Sequence, residues 1–129
     1  AEYYEGADES TEPLVSTTSP ITITSRTATG GGIVTSDGGE TVTSRGVCWS
    51  TSANPTTADS KTAVAGTTGA FTSAITGLSA NTTYHVRAYA TNSIGTGYGA
   101  DISFTTDKWN YLYHGGKIVT HNGKPVIVR

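Results

Sequence analysis

The residues of this chain whose types could do chemistry are few and far apart. Cys48 is the lone thiol, and in "RGVCWS" it stands between Val47 and Trp49 with no histidine close by in sequence. A nucleophilic cysteine needs a neighbour that lowers its pKa. This one therefore reads as a packed strand residue, and being single it excludes an intrachain disulfide. The imidazoles are His85, His114 and His121, and no two fall at the i, i+2 or i, i+4 spacing that aims two metal ligands at one point. His114 and His121 precede "GG" and "NG" and read as polar turn residues, so neither a metal nor a cofactor is expected. Asp37, Glu40, Asp59 and Asp101 lie in or beside turn-rich stretches. A carboxylate pair for glycoside cleavage needs a cleft, which short loops on a small domain do not build. The stretch "GTGYG" at 95–99 has the letters of a phosphate-cradling loop but no helix to follow it. No enzyme is expected from these residues.

Arg87, Tyr89 and Tyr98 are different, because arginine beside aromatics is the composition that most often anchors protein or sugar contacts. In "TYHVRAYAT", period-two alternation puts Tyr84, Val86, Ala88 and Ala90 on one face and His85, Arg87, Tyr89 and Thr91 on the other. The first face suits a core. The second, joined by Tyr98, is a candidate contact surface, with cross-strand pairing inside the sheet as the competing explanation.

These positions need a β framework to hold them. Thr, Ser and Gly dominate the composition, Met is absent and no helical period stands out, which favours an all-β class. Strands are expected over residues 21–29, 32–35, 43–51, 70–76, 83–91 and 100–105. Turn-forming clusters separate them: "SDGGE", "SANPTTADS", "GTTG" and "SIGTGYG". Strands this short and frequent predict a two-sheet sandwich, since one sheet could not bury both faces. A chain of 129 residues makes one such domain, hiding roughly two-thirds of the surface of its unfolded form.

The two ends depart from this pattern. Residues 1–14, "AEYYEGADESTEPL", form an acidic arm that would be flexible alone, with Tyr3, Tyr4 and Leu14 as its expected anchors. Residues 107–129 carry Lys108, Lys117, Lys124 and Arg129 and, after Asp107, no acid. They read as three short strands over 110–113, 117–120 and 124–128, joined by tight Gly-Gly and Asn-Gly turns. Their bases alternate with Ile and Val as a solvated strand face would, so no nucleic-acid partner is expected. No stretch is long and apolar enough for a membrane span, and the amino end has no signal-peptide order. Opening on Ala, the chain reads as a processed product or an excised piece.

The corner Leu78-x-Ala80-x-Thr82-x-Tyr84 resembles the Leu-x-Pro-x-Thr-x-Tyr corner of fibronectin type III domains, with Ala80 where the family has Pro. "GGGIVTSDGGETVTSRGVCWST", "NPT", "GAFTSAITGL" and "GTGYGADISFTT" extend the resemblance to the fibronectin type III-like modules of secreted and surface proteins of Bacteroidetes-type bacteria, over roughly residues 15–106. The resemblance implies an immunoglobulin-like β-sandwich, an extracellular setting, and a Tyr84 ring closing the core with its hydroxyl bonded to backbone upstream. The segment 107–129 is similar to the carboxyl ends of some bacteriophage structural proteins.

Because this fold serves spacers, adhesins and binders alike, function has to be argued from the surface. The first expectation is a non-enzymatic structural subunit or module of an extracellular assembly, such as a virion decoration, fibre or surface filament. It would meet other protein subunits through Tyr3, Tyr4 and Glu5 at one end and Trp109, Tyr111, Lys117, Lys124 and Arg129 at the other. The second is an accessory module of a larger secreted enzyme or adhesin, holding a cell-surface glycan or a protein with Arg87, Tyr89 and Tyr98.

Overall fold

The structure is a computed structural model. It describes residues 9–108 throughout and, beyond them, the backbone of short paired strands between residues 110 and 128. Tyr3, Tyr4, Glu5, Trp109 and Arg129 lie outside the described residues, as do the side chains of Tyr111, Lys117 and Lys124. Eight strands build the sandwich: β1 (Leu14–Ile21), β2 (Ala28–Ser36), β3 (Ser44–Ser50), β4 (Ser60–Lys61), β5 (Gly69–Ile75), β6 (Thr83–Thr91), β7 (Thr96–Tyr98) and β8 (Ile102–Thr105). They form two antiparallel sheets, a three-stranded one in the order β1-β2-β5 and a five-stranded one in the order β4-β3-β6-β7, with β8 also on β6. The fold is all-β, and among the described residues there is no helix.

The core lies between the sheets, and the alternation in β6 sets it. Val86, Ala88 and Ala90 are fully buried and meet Val47 of β3 and Val34 and Ile75 of the opposite sheet. Each Val or Ile so buried contributes about 1.5–3 kcal/mol relative to exposure. The sheets come close where side chains are small: a Cβ on Gly32 would overlap Ala88 Cβ and the Ser16 carbonyl. The sequence places a break at Gly30 and Gly31, between strands 21–29 and 32–35, whereas β2 runs unbroken from Ala28 to Ser36. All three glycines are strand interior, for different neighbours: Gly32 faces Ala88 of the other sheet, whereas a Cβ on Gly31 would overlap the Phe71 carbonyl and one on Gly30 would press the Ile75 side chain, both on the adjacent strand β5. Conversely, the β-branched run "ITITSRT" is not one strand. Thr24 Oγ1 accepts the N–H of Arg26 and of Thr27 at 3.2 and 2.9 Å, folding the chain into a hydroxyl-capped turn between β1 and β2.

The corner at 78–84 has the expected form. Tyr84 Oη accepts the Ser79 N–H at 2.8 Å, its ring stacks on Phe104 at 5.9 Å between centroids, and Leu78 is buried beside them. Of the anchors expected for the leading arm, Tyr3 and Tyr4 lie outside the described residues, and the described part, from residue 9, is held by other groups. The Leu14 side chain is 64% exposed, and the residue is held through its backbone, whose carbonyl accepts the Thr35 hydroxyl at 3.2 Å, whereas Pro13 is buried. Asn92, itself buried, donates through Nδ2 to the carbonyls of Thr11 and Asp37 at 2.7 and 2.8 Å. Its Oδ1 accepts the Ile94 and Gly95 amides, so every polar atom of the side chain is bonded.

After residue 108 the pairing closes on itself instead of running as an open meander. β10 (Tyr113–His114) pairs β11 (Lys117–Ile118), and β12 (Thr120–His121) pairs β13 (Lys124–Pro125). β14 (Ile127–Val128) then returns to β9 (Asn110–Tyr111). Each expected strand is thus divided between two partners.

Candidate functional site

The sequence places its contact candidates on the outer face of the five-stranded sheet, and the register brings them together. Tyr89 lies opposite Gly46 on one side and Tyr98 on the other, and Arg87 lies opposite Cys48. His85 is opposite Ser50 and Ser103. Cross-strand partners share a face, so these residues form one patch.

That patch is covered by the chain itself. The connection 51–59 between β3 and β4 folds back over it and buries Pro55. Arg87 Nε donates to the Pro55 carbonyl at 2.8 Å, and the Thr57 N–H donates to Tyr98 Oη at 3.1 Å. The Arg87 guanidinium carbon sits 4.0 Å from the Tyr98 ring centroid, so the two side chains that grip the loop also brace each other. Arg87 and Tyr98 are half-buried.

Tyr89 is not on a contact surface: it is 2% exposed. Alternation tells which face of β6 it occupies, but not that the face is covered. The chain after β4 continues along β3, with the Thr62 N–H on the Val47 carbonyl at 2.9 Å and the Val64 N–H on the Arg45 carbonyl at 2.7 Å. Tyr89 Oη donates to the Thr62 carbonyl, which fills the space a Cβ on Gly46 would need. Burial pushes the phenol above its ordinary pKa, against the opposing effect of the Ser44 hydroxyl.

The groups that sequence reading set aside tie down the same loop. Asp101 joins His85 Nδ1 through Oδ1 at 2.8 Å and accepts the Asn54 N–H through Oδ2 at 2.6 Å. Desolvation would raise this carboxyl. The Asn54 amide and the charges and hydrogen bond of His85 and Arg87 outweigh it, and the net pKa is lowered. His85 and Asp101 lie 16 residues apart with no motif between them. Only the β6–β8 register, which sequence does not display, makes them neighbours.

Their types together with Ser50 match a nucleophile–base–acid set, yet the geometry does not assemble one. Ser50 Oγ accepts the Ser52 N–H at 3.1 Å, and although Ser50 is the cross-strand partner of His85 no hydrogen bond joins its hydroxyl to the imidazole, the bond by which a base activates a hydroxyl. Cys48 is fully buried, its Sγ directed at the carbonyls of Pro55 and Arg87. Burial pushes its pKa to about 11, with Arg87 offsetting only part of the rise. Asp37, Glu40 and Asp59 bond turn amides and hydroxyls: Asp37 Oδ1 accepts the Gly39 N–H, Asp59 Oδ2 the Thr56 N–H and Glu40 Oε2 the Ser10 hydroxyl. Among the described residues, no three of His, Cys, Asp and Glu gather closely enough to hold a metal ion, and no helix is long and apolar enough to cross a membrane. His114 and His121 have side chains outside the described residues.

A cavity of about 400 Å³ lies on the other sheet, over the middle of β2 between Ile21 and Ile33. It contains no titratable side chain. Set against known proteins, the chain matches no family model and no curated sequence.

Proposed function

We propose that this protein is a non-enzymatic structural subunit or module of an extracellular assembly, joined to neighbouring subunits through its two terminal segments. The observation that carries the reading is where those segments leave the sandwich. Residues 10–13 are fixed beside Gly38, Asn92 and Gly95, at the pole where β2 ends and β7 begins. Residue 107 is fixed at the opposite pole, its N–H on the Thr24 carbonyl at 3.0 Å and its carbonyl accepting the Asn81 N–H at 2.9 Å. The first pole collects Glu9, Glu12, Asp37 and Glu40, and the second leads through Lys108 into the basic segment. A module that is acid at one pole and basic beyond the other suits head-to-tail contacts, which propagate where a two-fold contact would close. The use of the chemically able side chains to hold loop 51–59 supports the non-enzymatic part.

The test is sedimentation of the intact protein at low and high salt, beside a form lacking residues 1–8. Association at low salt that disappears at high salt, and is weakened by the deletion, supports the reading. A monomer at high concentration and low salt that the deletion does not alter ends it.

The half-exposed Arg87–Tyr98 stack favours one second reading, a glycan- or protein-binding accessory module of a larger secreted enzyme or adhesin. An arginine-braced tyrosine at a loop edge is a surface on which a sugar can stack. Tyr89, being buried, takes no part. A glycan array probed with the intact protein and with Tyr98→Ala decides it, and binding equal in both counts against that surface.

A further inference from the structure

We infer that the outer face of the three-stranded sheet is a lateral contact face for a second copy of this chain. This rests on the assembly reading and adds a side-by-side contact to the end-to-end one. Strands β1, β2 and β5 contain no charged residue. Charges are what usually keep a sheet from pairing with another, and β5 is moreover an edge strand with β2 as its only strand neighbour among the described residues.

The face has relief as well as neutrality. Thr18, Gly31 and Thr72 form one cross-strand row, and Gly31 at its centre contributes no side chain, so the cavity of about 400 Å³ opens there. Ile33 stands in the next row beside Ala70, and Ile21 flanks the cavity from the opposite corner. They are 41% and 61% exposed, two large apolar side chains in water beside a hollow of apolar wall. Ile33 stands on β2 one row from the hollow at Gly31, so a two-fold axis lying in the contact plane between those two rows sets the Ile33 of each copy over the hollow of the other.

Charge decides against the other occupants this chain supplies. Setting the acidic arm or the basic segment over an uncharged apolar hollow would strip their charges of water with no counter-charge in return. A second uncharged face carries no such cost. Three strands spaced ~4.8 Å and seven residues long at ~3.4 Å each offer roughly 340 Å². That is under half of the ~800 Å² per partner of a standard interface, so the contact is weak between two copies and becomes effective when an assembly repeats it.

The experiment is sedimentation velocity of the full-chain protein over a wide concentration range, in low salt, in high sodium chloride and in sodium sulfate. Ile33→Glu and Thr72→Lys run beside it, each checked for its fold by circular dichroism. Expected is an association that sodium chloride leaves intact and sulfate strengthens, weakened about tenfold or more by either substitution. If Ile33→Glu does not fold, Thr72→Lys carries the test. Association that ignores both substitutions overturns the lateral face, and if sodium chloride dissolves it, end-to-end joining still stands. A monomer under every condition overturns both.

Discussion

The Arg87 guanidinium lies 4.0 Å from the centre of the Tyr98 ring, and the two side chains hold the same loop from neighbouring strands. Arg87 supplies a donor to Pro55 and Tyr98 an acceptor to Thr57, so the loop's own backbone completes the pair. Replacing Arg87 with Met keeps the aliphatic stem and removes both the charge-assisted hydrogen bond and the stacking. Partial exposure discounts each, and the expected cost is about 1–2 kcal/mol. Tyr98→Phe removes only the acceptor, at about 1 kcal/mol. Urea unfolding gives both values. Amide exchange at Thr57 should quicken in each variant while exchange at Val47, in the core of β3, stays slow.

Acid should release the same loop from its other side. Asp101 has its folded-state pKa held below the ordinary carboxyl value, chiefly by the Asn54 amide, His85 and Arg87 acting against desolvation. A carboxyl lowered on folding contributes stability that is complete above its unfolded pKa of about 3.9 and fades as pH falls through the folded value. Unfolding curves collected downward from neutral pH should therefore show a loss of stability below about pH 4 that is smaller in Asp101→Asn. Equal acid sensitivity in the variant would assign the loss to other carboxylates.

The sequence displayed periodicity, and what depends on periodicity was legible in it. The alternation of β6, the tyrosine corner and the turn clusters give two sheets and most of the core. Register and coverage are long-range properties, and there the reading fell short. Tyr89 and Arg87 occupy the same face by alternation, but one is sealed under the chain that follows β4 and the other clamps a loop. The glycines of β2 signal a break by propensity and are strand by packing, because the reasons for them lie far off in sequence: Ala88 on the facing sheet for Gly32, and the Phe71 carbonyl on β5 for Gly31. His85 and Asp101 carried no mutual signal at all, since a register sets their distance and no motif does.

Arg45 is the rivet at the other side of the sandwich. It is 8% exposed, stacks its guanidinium 5.0 Å from the Phe71 ring centre, and donates to the carbonyls of Ala65, Thr67 and Thr68. No carboxylate is among these partners, and its Nε is without a hydrogen bond. The fork shape therefore matters as much as the charge. Lysine cannot reach three carbonyls from a plane lying on a ring, so Arg45→Lys should cost about 2–3 kcal/mol in chemical denaturation. Protection of amides in 65–68 should fall more than protection in β6. A cost near zero would mean that the loop holds without the fork.

Cys48 reports on whether the loop cover opens. Its thiol lies under Pro55, and with a pKa of about 11 almost none of it is thiolate at neutral pH. A small alkylating reagent needs both access and thiolate, so the native protein should label far more slowly than the urea-unfolded chain, in which the thiol has its ordinary pKa of about 8.5. Labelling then follows opening of residues 51–59, and Arg87→Met, which loosens that segment without touching the core, should accelerate it. The increase should track the loss of stability, about tenfold for each 1.4 kcal/mol, if the opening that exposes Cys48 is the one Arg87 resists. A core substitution that leaves the loop contacts in place, Ile75→Val, separates the two routes: labelling that it quickens as much per kcal/mol lost as Arg87→Met does would place the opening in the whole sandwich instead of the loop.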